Sequence, residues 1–220
     1  MLRKNRFQVA ALISIILFMA FIASIAFFLI TANYQLFLIH ASFFGLLTFL
    51  ILYSTANDAP YVPTPMNIVR AMLKFAEVGP DDVVYDLGCG DGRILFTAVE
   101  EFEVAKAVGY ELHSPNCDSI KLMVEKKGLK NRIEVVNENF LLADLSSASV
   151  ITLYLSVLGN SKLRPKMEIE LKPGTRVVSH EFPIHDWVTM KPDAPEYYAV
   201  GSHEIYVYKV PEAYDRKKTI

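Results

Sequence analysis

Acidic residues are missing from the first 57 positions of this 220-residue chain: all 24 Asp and Glu lie at or after Asp58, and before it the only charges are Arg3, Lys4 and Arg6. The formal net charge of −2 therefore splits into +3 before Asp58 and, from there on, 19 basic against 24 acidic residues, or −5. Cysteine is also scarce. Cys89 and Cys117 alone exclude a disulfide-stapled secreted scaffold and suit a reducing compartment. Glycine (10) and proline (11) are ordinary, and hydrophobic residues reach 52%, so fibrous and disordered classes are excluded as well. A segment of net −5 offers no broad basic surface, so no nucleic-acid partner is expected. Metal motifs are absent too: there is no H-E-x-x-H and no paired C-x-x-C, so no metal is expected.

The uncharged start is strongly apolar. Phe7 to Ala32 contain no charged residue, and at about 1.5 Å per residue they exceed the roughly 30 Å hydrocarbon core of a bilayer. After only Asn33, Tyr34 and Gln35, a second apolar run follows from Leu36 to Tyr53. The pattern predicts a two-helix transmembrane hairpin, spanning about 7–32 and 36–53, in a membrane anchor over residues 1–56. The first run is too long for a cleaved signal peptide, whose apolar region is about 7–15 residues, and a second run follows it. Basic residues stand before the first span and, as Arg70 and Lys74, after the second, with none between them. That bias puts both termini and the rest of the chain on the cytoplasmic side. The lipid bilayer is thus an expected partner. His40, the one ionisable group inside either span, reads as a neutral imidazole bonded across the hairpin.

Residues 57–65 (NDAPYVPTP) read as an extended linker and 66–220 as one domain,. Thr64 as N-cap and Pro65 open a helix closed by Gly79-Pro80. Strand candidates then alternate with helices: Val83 to Leu87, Ala105 to Glu111, Ile133 to Val136, Val150 to Leu155 and Thr175 to His180, with helices after Gly92, from Ser114 and over Lys162 to Leu171. Tyr197 to Val200 and Glu204 to Val210 break the alternation and predict an antiparallel hairpin at one edge. The expected fold class is α/β, a Rossmann-like, seven-stranded, mostly parallel sheet with an antiparallel C-terminal hairpin.

Asp86-Leu87-Gly88-Cys89-Gly90-Asp91-Gly92 is the strongest motif. A strand-to-helix turn rich in glycine brings bare backbone and a helix N-terminus to a nucleotide-like ligand. The spacing excludes a dinucleotide fingerprint, because Arg93 stands where the third glycine belongs, and no Gly-Lys-Ser/Thr marks a P-loop,. Asp86 suits a cationic ligand better than a pyrophosphate.

These residues resemble the first motif of the class I S-adenosylmethionine-dependent methyltransferases, an acid followed by G-x-G-x-G. The resemblance implies S-adenosyl-L-methionine as cofactor, held at Asp86, Gly88, Cys89, Gly90 and Gly92. It assigns the ribose hydroxyls to Glu111, which closes Val108-Gly109-Tyr110-Glu111, and the adenine amine to Asn139 or its neighbour Glu138. Several segments together, Tyr61-Val62-Pro63-Thr64-Pro65, Ala107 to Leu112 and Phe182-Pro183-Ile184 with Trp187, look like the membrane-anchored mitochondrial lysine methyltransferases of the ATP synthase c subunit and adenine nucleotide translocase, and their prokaryotic relatives. That likeness implies protein-lysine methylation of a membrane-protein substrate. The alternatives are a lipid or quinone acceptor and a non-catalytic cofactor-binding scaffold.

Lysine, with a reference pKa near 10.4, needs roughly 4.6 kcal/mol to be deprotonated at pH 7. His180 and Glu181, after the fifth strand, are the candidate acid–base pair, with Tyr154 as a further catalytic candidate. Phe182 and Trp187, like Tyr154, offer aromatic faces to a cationic acceptor. His113, His185 and His203 read as surface or structural.

Overall fold

The computed structural model describes residues 62–191 and 193–214, together with positions 21, 22, 25, 35, 38–40 and 42–47. The chain divides into two units, Met1–Asn57 and Asp58–Ile220. In the first unit the described positions are helical, and Phe21 meets Phe44 edge-on with ring centroids 6.0 Å apart. No helix among the described residues is long and apolar enough to cross a membrane. The expected spans 7–32 and 36–53 lie largely outside the described residues, as do 57–61 of the linker.

In the second unit, α1 (Met66–Phe75) precedes β1 (Val83–Leu87), α2 (Arg93–Glu101), β2 (Lys106–Tyr110), α3 (Ser114–Lys126) and β3 (Ile133–Val136). A 3-10 turn (Phe140–Leu142) leads to β4 (Val150–Leu153), α4 (Val157–Glu170), β5 (Arg176–His180), β6 (Tyr198–Val200) and β7 (His203–Lys209). Two helix boundaries differ from expectation. Thr64 does not cap α1; Pro65 is the N-cap, and its carbonyl accepts the N–H groups of Ile68 and Val69. α4 begins five residues before the expected Lys162, where Ser156 Oγ accepts from the Gly159 N–H at 3.0 Å. Gly159 hides the first turn of this helix from propensity, and burial of Asn160, Leu163 and Met167 overrides it,.

The sheet order is β3-β2-β1-β4-β5-β7-β6, parallel through β5 and antiparallel at β7 and β6. Order reverses between β1 and β4, so the carboxyl ends of these strands form the crevice where α/β sheets bind ligands. β7 is antiparallel to β5, with His180 opposite Ile205. Its first residues, His203 and Glu204, therefore stand at the same edge as the ends of β1, β4 and β5.

Alternating strand residues face two cores. Val84, Ala107, Val150 and Val178 pack with α1, α2 and α3, whereas Tyr85, Val108, Ile151 and Val177 pack with Leu163 and Met167 of α4. Each fully buried Val, Ile, Leu or Met among them contributes about 1.5–3 kcal/mol. At the edge remote from the crevice, Arg176 pairs with the buried Asp82 and donates to the carbonyls of Ala76 and Glu77, tying β5 to β1 and the end of α1.

The closest packing lies under the glycine motif. A Cβ on Gly109 would meet Cys89 Sγ and Leu95 Cδ1, each at 2.6 Å, so β2 reaches the β1–α2 turn only because this residue has no side chain. Gly109→Ala is expected to destabilise the unliganded protein by about 1–3 kcal/mol through overpacking. Calorimetry should register this as a Tm drop of about 2–10 °C.

Candidate active site

Asp86 is 3% exposed, the penultimate residue of β1 at its carboxyl end. Its Oδ1 accepts from Thr152 Oγ1 of β4 at 2.7 Å, across the point where strand order reverses. Burial pushes its carboxyl up to about 7, with the Thr152 hydrogen bond opposing and the nearby Glu111 and Asp91 carboxylates adding to the rise. A buried acid so reluctant to ionise is suited to a ligand that brings a positive charge.

Past Asp86, the Gly88 and Cys89 N–H groups both donate to Tyr110 O, at 2.9 and 3.0 Å. Gly92 caps α2 in the left-handed region at φ 78°, and a Cβ there would press Ile120 at 3.1–3.3 Å. Gly88 is exposed, so the turn offers bare backbone to the crevice. Burial, reinforced by Asp86 and Glu111, pushes the Cys89 thiol up. Cys89 is thus a packing residue held as a thiol beneath the loop, with no reactive character. Arg93 pairs with Asp91 and donates from Nη1 to Thr64 O at 2.6 Å, which joins the segment before α1 to the motif.

Glu111 holds the loop from the other side. Its Oε2 accepts from the Gly90 N–H and its Oε1 from the His113 N–H, both at 2.8 Å. Asn137 Nδ2 donates to the Glu111 and Leu112 carbonyls at 2.9 and 3.0 Å. Each carboxylate oxygen keeps a second lone pair, so the group can accept two hydroxyls while its position is fixed by backbone. Asn139 is half-buried at the start of the 3-10 turn, where its Oδ1 accepts from the Leu141 N–H at 3.0 Å. Its carbonyl therefore acts first as a cap. Glu138 is exposed beside it.

His180, Glu181 and Tyr154 come together beyond β4 and β5. The Tyr154 and His180 ring centroids lie 4.1 Å apart, and His180 is wholly buried. His203, set aside in the sequence, joins them: its Nδ1 lies 2.8 Å from Glu181 Oε1 and 3.1 Å from His180 Nε2. These three ligand-type groups lie within 4.8 Å of one another. No local motif announces such a grouping, because it depends on the direction of β7. Asn160, also missed, donates from Nδ2 to Phe182 O at 2.9 Å and Ser179 Oγ at 3.3 Å, fixing the turn after β5.

Trp187 is not in this crevice. It packs against Tyr208 and Tyr214, with centroids at 5.5 and 5.1 Å, and its Nε1 donates to Glu168 Oε1 at 3.0 Å. Its apolar body fills the core beneath α4, so the expectation of an acceptor-pocket residue is corrected. Phe182 is half-buried two residues beyond β5, next to Glu181 in the chain.

Residues 86–191 match the profile of the ANTKMT methyltransferase domain family. The chain is 47% identical over 159 residues to a protein-lysine N-methyltransferase of Saccharolobus islandicus (strain REY15A), covering 72% of this chain and 98% of that protein. The chain belongs to the class I S-adenosylmethionine-dependent methyltransferases. An adenine nucleotide translocase lysine N-methyltransferase of Mus musculus is 29% identical over 130 residues, covering 59% of this chain and 56% of that protein. Among solved structures, an RNA methyltransferase from Salinibacter ruber in complex with S-adenosyl-L-homocysteine aligns with TM-score 0.63 and 35% identity, covering 69% of this chain and 95% of that one.

The residues of this methyltransferase fit S-adenosylmethionine. A buried acid at Asp86 awaits a cation, a doubly anchored carboxylate at Glu111 awaits two hydroxyls, and backbone at Gly88 lies open between them. Bound there, the cofactor supplies an electrophilic methyl group.

Proposed function

We propose that this methyltransferase is a membrane-anchored protein-lysine N-methyltransferase acting on a membrane-associated protein, with both termini and the catalytic domain on the cytoplasmic side. The observation that carries the lysine acceptor is the 47% identity across 98% of a protein named for that activity. Chemistry at the crevice agrees with it. Tyr154 and Phe182 provide aromatic faces beside the β4 and β5 ends, where a cationic side chain gains cation–π stabilisation. The protein's task is then to align the amine, remove its proton and exclude water.

The anchor rests on the uncharged run from Phe7 to Ala32 and on the second run behind it. Leu38, Ile39, Phe43 and Leu46 are helical and exposed, a surface suited to lipid rather than water. Sharing a bilayer raises the effective concentration of an integral acceptor.

The test incubates full-length protein and tritiated S-adenosylmethionine with membranes, lipid extract and RNA from the native host. Label recovered as methyl-lysine in membrane protein is the expected result. Label confined to lipid selects the lipid or quinone acceptor, and label confined to RNA selects a nucleic-acid acceptor; either outcome overturns the proposal.

A further inference from the structure

We infer that His203 is the proton acceptor for the substrate amine, held by Glu181 as its positioning residue and backed by the buried His180. The inference rests on the lysine-acceptor reading. Proton counting sets the tautomer: Glu181 Oε1, 2.8 Å from His203 Nδ1, calls for the hydrogen on that nitrogen, which leaves the lone pair on Nε2. A carboxylate behind an imidazole fixes the tautomer and orients the ring. Exposure agrees, since the His203 side chain is 31% exposed against 13% for Glu181 and none for His180. Of the three, His203 is the one a substrate can reach.

The backbone gives a second, independent sign. Glu181 sits at φ 68°, a left-handed conformation that a non-glycine residue rarely holds, and its N–H donates to Glu204 O at 2.7 Å. Strain of this kind gathers where a side chain must be aimed. The groups around His203 are Glu181 and His180 from the end of β5, Tyr154 from the end of β4 through its contact with His180, and Glu204 on β7. The Glu204 carboxylate is occupied by the Tyr206 hydroxyl at 2.6 Å. Glu181 is therefore the carboxylate paired with the ring.

The step is a proton transfer only. The Nζ–H bond of the acceptor ammonium breaks, an Nε2–H bond forms on His203, and the electron pair stays on Nζ for the methyl transfer. Water then takes the proton from the ring.

The test uses full-length protein, tritiated S-adenosylmethionine and native-host membranes, with His203→Ala, His203→Gln and Glu181→Gln. Both His203 variants should lose about 10²-fold in rate at pH 7, the range of a general base, while calorimetric affinity for S-adenosylmethionine stays within about twofold of wild type. Their rates should climb about tenfold per pH unit between roughly pH 7 and 9, since free amine must now come from bulk ionisation of a group with pKa near 10.4; wild type should climb less steeply. Added imidazole should restore part of the activity of His203→Ala. In histidine 15N spectra of the unliganded protein, the Nδ1–H tautomer of His203 should be present in wild type and lost in Glu181→Gln. Retention of near wild-type rates by both His203 variants overturns the inference. So does loss of activity with unchanged pH slope and no imidazole rescue, which marks a structural role. Activity that disappears on dialysis against a chelator and returns with Zn2+ overturns it in favour of a metal held by the same three groups. Failure of wild type to label any lysine is a separate result and rejects the acceptor reading itself.

Discussion

Asp86→Asn should leave a protein that is more stable than wild type at pH 8 and nearly unable to bind S-adenosylmethionine. In the unliganded fold the Asp86 carboxyl titrates at about 7 against an ordinary 3.8, chiefly because it is buried. The folded state thus holds this proton more tightly than the unfolded chain. Its contribution to stability is fully present below pH 3.8 and is lost as pH rises through 7,. Above that, ionised Asp86 costs the fold up to about 4 kcal/mol, and asparagine, which still accepts from Thr152, should recover about 2–3 kcal/mol. Thermal unfolding should rise by about 5 °C or more at pH 8, with the advantage shrinking toward pH 4. Affinity should move the other way. Removing a buried charge from a cationic ligand is worth roughly 3–4 kcal/mol, or 10²–10³-fold in Kd. Wild type should itself bind about tenfold more weakly at pH 6 than at pH 8, because below its pKa the acid must first give up its proton. Calorimetric titration across that range checks both statements.

Glu111→Gln should weaken S-adenosylmethionine, S-adenosylhomocysteine and adenosine alike, by about 10²-fold or more. Two hydrogen bonds to a charged acceptor are worth about 1.5–3 kcal/mol each. The substitution also disturbs the anchoring. Both carboxylate oxygens already accept a backbone N–H, from Gly90 and His113, and a glutamine must turn its NH2 toward one of these donors. Loss of the Gly90 contact loosens the glycine turn as well as the ribose site. The ligand series separates the two acids: Asp86→Asn should spare adenosine, which carries no positive charge, whereas Glu111→Gln should not.

That Asp86, the glycine turn and Glu111 meet at one edge of the sheet was legible in the sequence because these parts are local. Asp86 to Gly92 form one turn, and Glu111 directly follows the next strand, 25 residues after Asp86, so their meeting follows from a single βαβ unit. The cluster at the end of β5 was only half legible. His180 and Glu181 could be placed at the end of β5, but His203 reaches them through the antiparallel entry of β7, and no spacing along the chain encodes that. Trp187 misled for a related reason: an aromatic residue after β5 belongs to either the crevice or the core, and the Glu168 partner that settles the matter lies on α4. Gly109 stood inside a quoted motif, yet its necessity shows only in three dimensions, where Cys89 and Leu95 close over it. The start of α4 was lost because Gly159 argues locally against a helix that burial nonetheless enforces.

What receives the methyl group separates a protein-lysine methyltransferase from one acting on lipid or RNA. Quantitative mass spectrometry of membrane proteins from native-host cells with and without the gene measures this directly. The expected result is at least one lysine whose methylation disappears with the gene and returns with the wild-type protein but not with Asp86→Asn. An unchanged set of methyl-lysines, alongside methylated lipid or RNA that vanishes with the gene, would contradict it.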